Sequence, residues 1–161
     1  MAKRILIFTN HFYPEQFKIN EIVDWLSVKK SHIRVITGFP NYPKGKIHQE
    51  FANKSLKNIF SENVTINRLF LIPRGNGSNL ILLLNYLSYF ISCIVFTIYI
   101  AIFKKKYDVI FVHHTSPILI AIHPIIYSFF HKSNKILWDL VFLLESLKVV
   151  NEIKSKFISR I

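Results

Sequence analysis

The stretch TGFPNYPKGK, residues 37–46, has the residue types of a binding loop rather than of a simple connector. It places two prolines, two glycines, an asparagine, a tyrosine and two lysines in ten positions. A tight turn needs only one or two residues of this kind. Lysine side chains bind phosphate and other anionic groups as point charges. We therefore predict that this loop contacts a ligand and that the ligand is anionic.

The charge of the whole chain supports an anionic partner. Its 161 residues contain 21 Lys and Arg against 9 Asp and Glu, which gives a formal net charge of +12. Such a surface favours nucleic acid, anionic lipid or phosphorylated ligands. The basic residues are scattered rather than clustered along one helix, so we expect no nucleic-acid partner. A steep, salt-dependent shift with duplex DNA would be needed to support that alternative.

Familiar cofactor and metal motifs are not found in the sequence. Gly38 and the pair Gly45-Lys46 are similar to a phosphate-binding loop, but the spacing is wrong and no Ser or Thr follows the lysine. The seven histidines lack metal-ligand spacing. His113 and His114 are adjacent in a predicted strand, so they would point to opposite faces of it. We expect no cofactor and no metal site.

The elements that position these residues alternate between strands and helices. Apolar runs predict strands at 4–10, 32–38, 64–73, 107–117 and 135–140. Helical spacing of apolar residues predicts a first helix that starts from an N-cap at Asn20 and ends at Lys29-Lys30. Further helices are predicted at 80–103, at 118–132 despite Pro124, and at 145–161.

This alternation predicts an α/β fold, a Rossmann-like parallel sheet with helices on both faces, formed by residues 1–161 as a single domain. Ligands of such sheets bind beyond the carboxyl ends of the strands. The four unusual loops, HFYPE, GFPNYPKGK, RGNGS and HHTSP, all follow predicted strands. They should therefore converge on one rim, where we place the site. The single Cys93 lies in an apolar run, which predicts a buried thiol and a reducing compartment.

The segment Leu80–Phe103 is long enough to cross a bilayer and carries no charge. Three small or polar residues, Asn85, Ser88 and Ser92, together with Tyr99, lie near one helical face, which favours packing on protein. Residues 1–79 carry 12 Lys and Arg and residues 104–161 carry 9, so the flanks define little orientation. We expect a helix that is buried or lies on an anionic membrane surface. The alternative is a small non-catalytic membrane protein with one span at residues 80–103.

Four blocks in order, FYPEQFKIN, TGFPNYPKGKI, LIPRGNGSN with LNYLSYF, and YDVIFVHHTSP, resemble the amino-terminal half of bacterial family 4 glycosyltransferases. The resemblance runs from about residue 3 to residue 138 and is strongest to the L-fucosamine transferase and colanic-acid-type enzymes of surface polysaccharide assembly. It implies the amino-terminal domain of a GT-B fold, in a metal-independent, retaining enzyme with a nucleotide-sugar donor. It also implies a lipid-linked pyrophosphate sugar as acceptor, and a cytoplasmic protein that is peripheral to the inner membrane.

The resemblance assigns substrate-binding roles to residues of the four loops, by position. These residues are Tyr13, Pro14, Glu15 and Asn20 after the first strand, Asn41, Tyr42 and Lys44 after the second, Arg74 and Asn76 after the third, and Thr115 and Ser116 after the fourth. A turn or capping role is the alternative for each, and it suits Asn20, Asn41 and Ser116 best. Lys44 and Arg74 suit an anionic acceptor better, because turns do not need cations.

The chain departs from the family in two places. Between Trp138 and Glu145 it has an apolar run where relatives have polar and aromatic residues. The donor domain, with its pair of glutamates near the sugar nucleotide, has no counterpart, since Glu145 and Glu152 lie in the wrong domain at the wrong spacing. We therefore expect a truncated acceptor-side domain that is inactive alone and would need a separate donor-domain chain.

Overall fold

The computed structural model of the chain describes residues 2–48, 60–115 and 118–139. Its centre is a five-stranded sheet in which all neighbouring strands are parallel and the order is β3-β2-β1-β4-β5. This confirms the predicted α/β fold with a Rossmann-like sheet. The strands are β1 Arg4–Thr9, β2 His32–Gly38, β3 Val64–Leu69, β4 Val109–His114 and β5 Asn134–Asp139.

Helices lie on both faces of this sheet, as predicted. They are α1 Ile19–Val28, α2 Asn79–Phe103, a 3-10 turn Ile118–Ala121 and α3 Ile122–Ser128. The predicted N-cap at Asn20 is wrong, because α1 begins at Ile19 with Lys18 as N-cap. The helix predicted across Pro124 is divided at Ala121, so the proline falls in the first turn of α3, where its missing N–H costs nothing. The final predicted helix, 145–161, lies outside the described residues.

Alternating residues of the strands build two separate cores. The core between the sheet and α1 contains Ile5, Ile7, Phe12, Ile19, Val23, Ile33, Val35 and Val64. The core between the sheet and the helices α2 and α3 contains Leu6, Phe8, Ile36, Leu71, Tyr89, Cys93, Ile100, Ala101, Tyr107, Ile110, Val112, Ile120 and Tyr127. Because both faces are covered, β1 and β4 read as the continuous apolar runs from which they were predicted.

Helix α2 packs along the sheet, and the strands before and after it, β3 and β4, belong to that same sheet. Of the predicted seam, Asn85 is buried, Ser88 and Ser92 are half-buried, and Tyr99 is exposed and does not belong to it. Thr97, which was not predicted, is buried on the same side as Asn85. Tyr89 Oη donates to the carbonyl of Thr9 at 2.9 Å and lies 3.3 Å from the carbonyl of Ile36. By length and composition alone, α2 could cross a membrane.

Candidate functional site

Glu15 joins the loop after β1 to the loop after β2. Its side chain is buried, and Oε1 accepts hydrogen bonds from the backbone N–H groups of Asn41, at 2.9 Å, and Tyr42, at 2.7 Å. Oε2 accepts from His11 Nδ1 at 2.6 Å, so that nitrogen carries the proton. Three donors therefore satisfy one buried carboxylate. Glu15 therefore organises the rim from below.

A second set of contacts joins the loop after β2 to the loop after β3. The N–H of Gly75 donates to the carbonyl of Gly45 at 2.8 Å, and the N–H of Arg74 donates to Asn41 Oδ1 at 3.2 Å. Gly45 has φ +71, and a Cβ added there would lie 1.9 Å from the Gly75 oxygen. Only glycine allows this approach, because a side chain would collide with the backbone of the neighbouring loop. These contacts form what we call the loop clasp, residues 41–45 against residues 74–75.

The loop clasp holds Arg74 between two tyrosine rings. Its guanidinium carbon lies 5.7 Å from the centre of the Tyr42 ring and 5.4 Å from that of Tyr86, and it donates a hydrogen bond to the Tyr86 hydroxyl. Among the residues that the structure describes, the buried Arg74 Nε has no hydrogen-bond partner. The cation is thus oriented before any ligand arrives, and one donor remains unused.

A row of aromatic rings leads from Tyr42 to the end of β4. Phe17 lies 5.9 Å from Tyr42 and 6.5 Å from His113, and His113 lies 5.2 Å from Trp138, all between ring centres. His11 stacks on Phe17 at 4.8 Å. The row passes over the junction of β1 and β4, where the sheet order changes direction and where ligands of such sheets bind.

His113 is a neutral, fully buried imidazole in this row. The Thr9 hydroxyl donates to the carbonyl of His11 at 2.8 Å, so it accepts from His113 Nδ1 at 2.9 Å. Nε2 then carries the lone pair, and no group within residues 2–48, 60–115 and 118–139 bonds to it. Burial, with the charges of His11 and His114 as smaller causes, lowers the pKa of His113 to about 4. This nitrogen is a hydrogen-bond acceptor at neutral pH.

His114 points to the opposite face of the sheet, as predicted for adjacent strand residues, and it too is buried. Its Nδ1 donates to Asp139 Oδ1 at 2.9 Å, across to β5. In the described part of the chain, His114 Nε2 and the Thr115 hydroxyl are buried without a hydrogen-bond partner. The sequence predicted that strand residues here face opposite sides, but not that both histidines would be buried and bonded.

The structure brings some of the predicted site residues together and gives others a structural role. Arg74, Tyr42 and Asn41 meet in the loop clasp, and Lys44 is exposed on the same loop. Asn20 closes the loop after β1, since its side chain accepts from the N–H of Tyr13 and donates to the carbonyl of Glu15. The other predicted site residues do not belong to the loop clasp. Asn76 Oδ1 accepts from the N–H of Ser78 in a turn, Thr115 directly follows β4, Pro14 follows a cis peptide bond, and Ser116 lies outside the described residues.

Four functional candidates were missed by sequence reasoning: His11, Phe17, Tyr86 and His113. Tyr86 lies on α2, one turn before Tyr89, within the block LNYLSYF, but no role was assigned to it. His11 and Phe17 belong to the first loop block, but their stacking depends on a loop path that no local pattern indicates. Among the described residues no group of three or more His, Cys, Asp and Glu side chains could hold a metal ion.

A cavity of about 640 Å³ lies away from this rim, between α1 and the strands β1, β4 and β5. Its lining includes Trp25, Phe111 and Ile136 and is almost entirely apolar. It borders β5, which leads into residues 140–161 outside the described part, so we assign no ligand to it. Comparison with protein-family models and with curated proteins finds no match for this chain.

Proposed function

We propose that this chain is the acceptor-binding half of a glycosyltransferase of bacterial surface polysaccharide (O-antigen, capsule or exopolysaccharide) biosynthesis. Its ligand would be a lipid-linked diphosphate sugar, and the nucleotide-sugar donor would bind to a second domain. The observation that carries the proposal is the Arg74 guanidinium, oriented between the rings of Tyr42 and Tyr86 and bonded to the Tyr86 hydroxyl. A planar guanidinium with free N–H groups matches phosphate oxygens in geometry and charge.

The surroundings of Arg74 favour a phosphate over a carboxylate side chain of the protein itself. In the described part of the chain no ion pair joins Arg74 to an Asp or Glu, and the nearby carboxylate of Glu15 is already bonded to His11 and to the N–H groups of Asn41 and Tyr42. Lys44 is exposed on the clasped loop and adds a second positive charge to this end of the sheet. The diphosphate of an acceptor lipid would supply the missing negative charge.

The aromatic row supports a saccharide next to the phosphate site. Ligand sites combine apolar and aromatic walls with a few polar groups that fix orientation. Here Tyr42, Phe17 and Trp138 supply ring surface next to the loop clasp. The alternative function, a non-catalytic membrane protein with one span, is disfavoured because α2 packs against the sheet that contains both flanking strands.

The test is direct binding of a water-soluble, short-chain polyprenyl diphosphate sugar, measured by titration calorimetry. We expect saturable binding that weakens at least tenfold in Arg74→Gln, because a charge-assisted contact to phosphate is lost. Lys29→Gln, a change of one exposed cation on the far side of the sheet, is the matched control and should bind normally. Equal affinity for all three proteins, or no binding by the unmodified chain, would contradict the proposal.

Catalysis is expected only when a donor domain is added. Fixing two substrates against each other across a cleft can supply about 7–11 kcal/mol of the barrier, and one domain provides one wall. The chain alone should therefore transfer no sugar from any nucleotide sugar, whereas addition of a separately expressed donor domain should restore transfer. Turnover by the chain alone would contradict the half-enzyme proposal.

A further inference from the structure

Helix α2 buries polar side chains against the sheet and exposes apolar ones, whereas a surface helix usually does the opposite. The side facing the sheet contains Asn85, Tyr89, Cys93 and Thr97, each one turn after the last, and all four are buried. The side facing away is apolar along the whole helix, and no residue of α2 is charged. Its exposed large residues are Leu80, Leu83, Leu84, Leu87, Ile91, Val95, Ile98, Tyr99, Ile102 and Phe103. A helix exposed to water on this side would normally be polar there.

The neighbouring helix α3 extends this apolar surface. It buries His123, Pro124 and Tyr127 toward the protein and exposes Ile122, Ile125, Phe129 and Phe130 on the outside. Together with the outer side of α2 these residues form what we call the apolar face. Its length is that of α2, about 37 Å for 25 residues at the usual helical rise. A patch of this extent on a soluble protein marks a surface that something covers.

The charges around the apolar face identify what covers it. Lys104, Lys105 and Lys106 follow directly at the end of α2, and all three are exposed. Lys104 Nζ lies 5.5 Å from the centre of the Tyr99 ring, which itself belongs to the face. From Asn63 to Asp139 the only acids are Asp108 and Asp139, and these accept hydrogen bonds from the N–H of Arg4 and from His114. The apolar face is therefore bordered by cations and contains no acidic side chain.

We propose that the apolar face docks onto an anionic lipid bilayer, with α2 and α3 lying in the plane of the membrane at the level of the acyl chains nearest the headgroups. Apolar side chains with aromatic residues at this depth and lysines beside the headgroups are the pattern of interfacial helices. The sheet then lies above the membrane, because the opposite side of α2 packs on it. This docking does not depend on the proposed function, since it uses none of the rim residues.

A second copy of the chain fits this surface less well than a bilayer does. Two copies that pair through the apolar face would each carry a formal net charge of +12. In a symmetric dimer the same patch meets itself, and the apolar face, as the described residues define it, offers no acid to Lys104, Lys105 and Lys106 of the other copy. An anionic bilayer supplies that negative charge together with the apolar cover.

The experiment is flotation of the full chain with vesicles of phosphatidylcholine alone or mixed in equal parts with phosphatidylglycerol, neither containing a saccharide lipid. We expect binding to the anionic vesicles that weakens as salt rises, because the headgroup attraction is screened. The double variant Ile91→Gln, Val95→Gln should bind at least tenfold more weakly. These side chains are 60% and 65% exposed, so the fold does not depend on them. Far-ultraviolet circular dichroism checks that α2 remains helical.

The matched control is Trp25→Gln, Val28→Gln on α1, which removes apolar residues that are 62% and 73% exposed on the other side of the sheet. It should bind normally. The charge is tested separately: replacing Lys104, Lys105 and Lys106 by Gln should reduce the preference for anionic vesicles about tenfold or more. The same change at Lys18, Lys29 and Lys30, beside α1, should have a small effect.

Labelling determines how α2 lies in the membrane. Cysteines introduced by Ser78→Cys and by Lys104→Cys, at the two ends of α2, should both react from outside sealed vesicles with a membrane-impermeant maleimide. Native Cys93 is fully buried and burial raises the pKa of its thiol, so the unmodified chain supplies the background. Reaction of one end only would show a span and overturn the proposal. The proposal would also be overturned if the chain bound no vesicles, or if the α1 control variant lost as much vesicle binding as the α2 variant. A soluble dimer that dissociates on Ile91→Gln, Val95→Gln substitution would likewise overturn it.

Discussion

Glu15 Oε1 lies 2.7 Å from the backbone nitrogen of Tyr42, so a buried carboxylate after β1 fixes the path of the loop after β2. Glu15→Ala removes the acceptor for three donors, and hydrogen bonds to charged groups contribute about 1.5–3 kcal/mol each. We expect a loss of about 3 kcal/mol in the free energy of unfolding, measured by urea denaturation. Glu21→Ala, which removes an exposed carboxylate paired with Lys18, should change it by less than about 1 kcal/mol. Equal losses of unfolding free energy in the Glu15→Ala and Glu21→Ala variants would contradict this role of Glu15.

Because of the loop clasp, alanine substitution should lower the free energy of unfolding by different amounts at Gly45 and Gly77, although the two glycines have similar φ. Gly45→Ala would place a Cβ 1.9 Å from the Gly75 oxygen, whereas at Gly77, with φ +76, nothing lies within 4 Å. Gly77→Ala should cost only the backbone strain, about 1–2 kcal/mol. Gly45→Ala should cost more and should also speed amide hydrogen exchange in residues 41–46 and 74–77. Similar exchange rates in the two variants would contradict the clasp.

The lowered pKa of His113 predicts that the folded protein loses stability in mild acid. Its pKa is about 4 in the folded protein and near 6.5 when the chain is unfolded. Between those values only the unfolded chain binds the proton, so the free energy of unfolding falls as the pH drops, by about 1.4 kcal/mol per pH unit. His113→Asn keeps a donor toward Thr9 and should make the pH dependence shallower by about that slope. His32→Asn, at an exposed position, should leave the slope unchanged.

The two tyrosines around Arg74 should contribute differently to ligand affinity. Tyr86 accepts a hydrogen bond from Arg74, whereas the recorded contact of Tyr42 with Arg74 is through its ring. Tyr86→Phe should therefore weaken binding of the polyprenyl diphosphate sugar by about tenfold, since the cation loses its orientation. Tyr42→Phe keeps the ring and should bind as the unmodified chain does. Calorimetric titration compares the two, and the reverse order would contradict the assigned geometry.

Strands that pair along their whole length were predicted closely, because their apolar runs reflect burial on both faces. Strand β2 begins and ends where it was expected, at His32 and Gly38. Strand β3 was predicted to reach Pro73 but ends at Leu69, because the chain then turns to α2. There the N–H of Ile72 donates to Ser88 Oγ and its carbonyl accepts from Asn85 Nδ2. Hydrophobicity alone does not distinguish a strand from a segment that packs on a helix.

The candidate site was predicted as a region but not as an arrangement. The rule that loops meet at the carboxyl edge placed Asn41, Tyr42 and Arg74 together, and they do meet. The pairing of Gly45 with Gly75 was not predictable, since it joins loops that are thirty residues apart and depends on both backbones. Asn20 was interpreted as a helix cap because its residue type suits one, yet its side chain bonds the preceding loop.

The hydrogen bond of Tyr89 to Thr9 joins α2 to a strand that is translated before it. A nascent segment as long and apolar as α2 is the kind that membrane insertion machinery accepts as a span. The carbonyls of Thr9 and Ile36, which lie beside the Tyr89 hydroxyl, belong to strands that are translated earlier and pair without β4. All three strands of the half-sheet β1-β2-β3 are therefore synthesised before α2, and so are the carbonyls that the Tyr89 hydroxyl contacts, whereas β4 and β5 follow it.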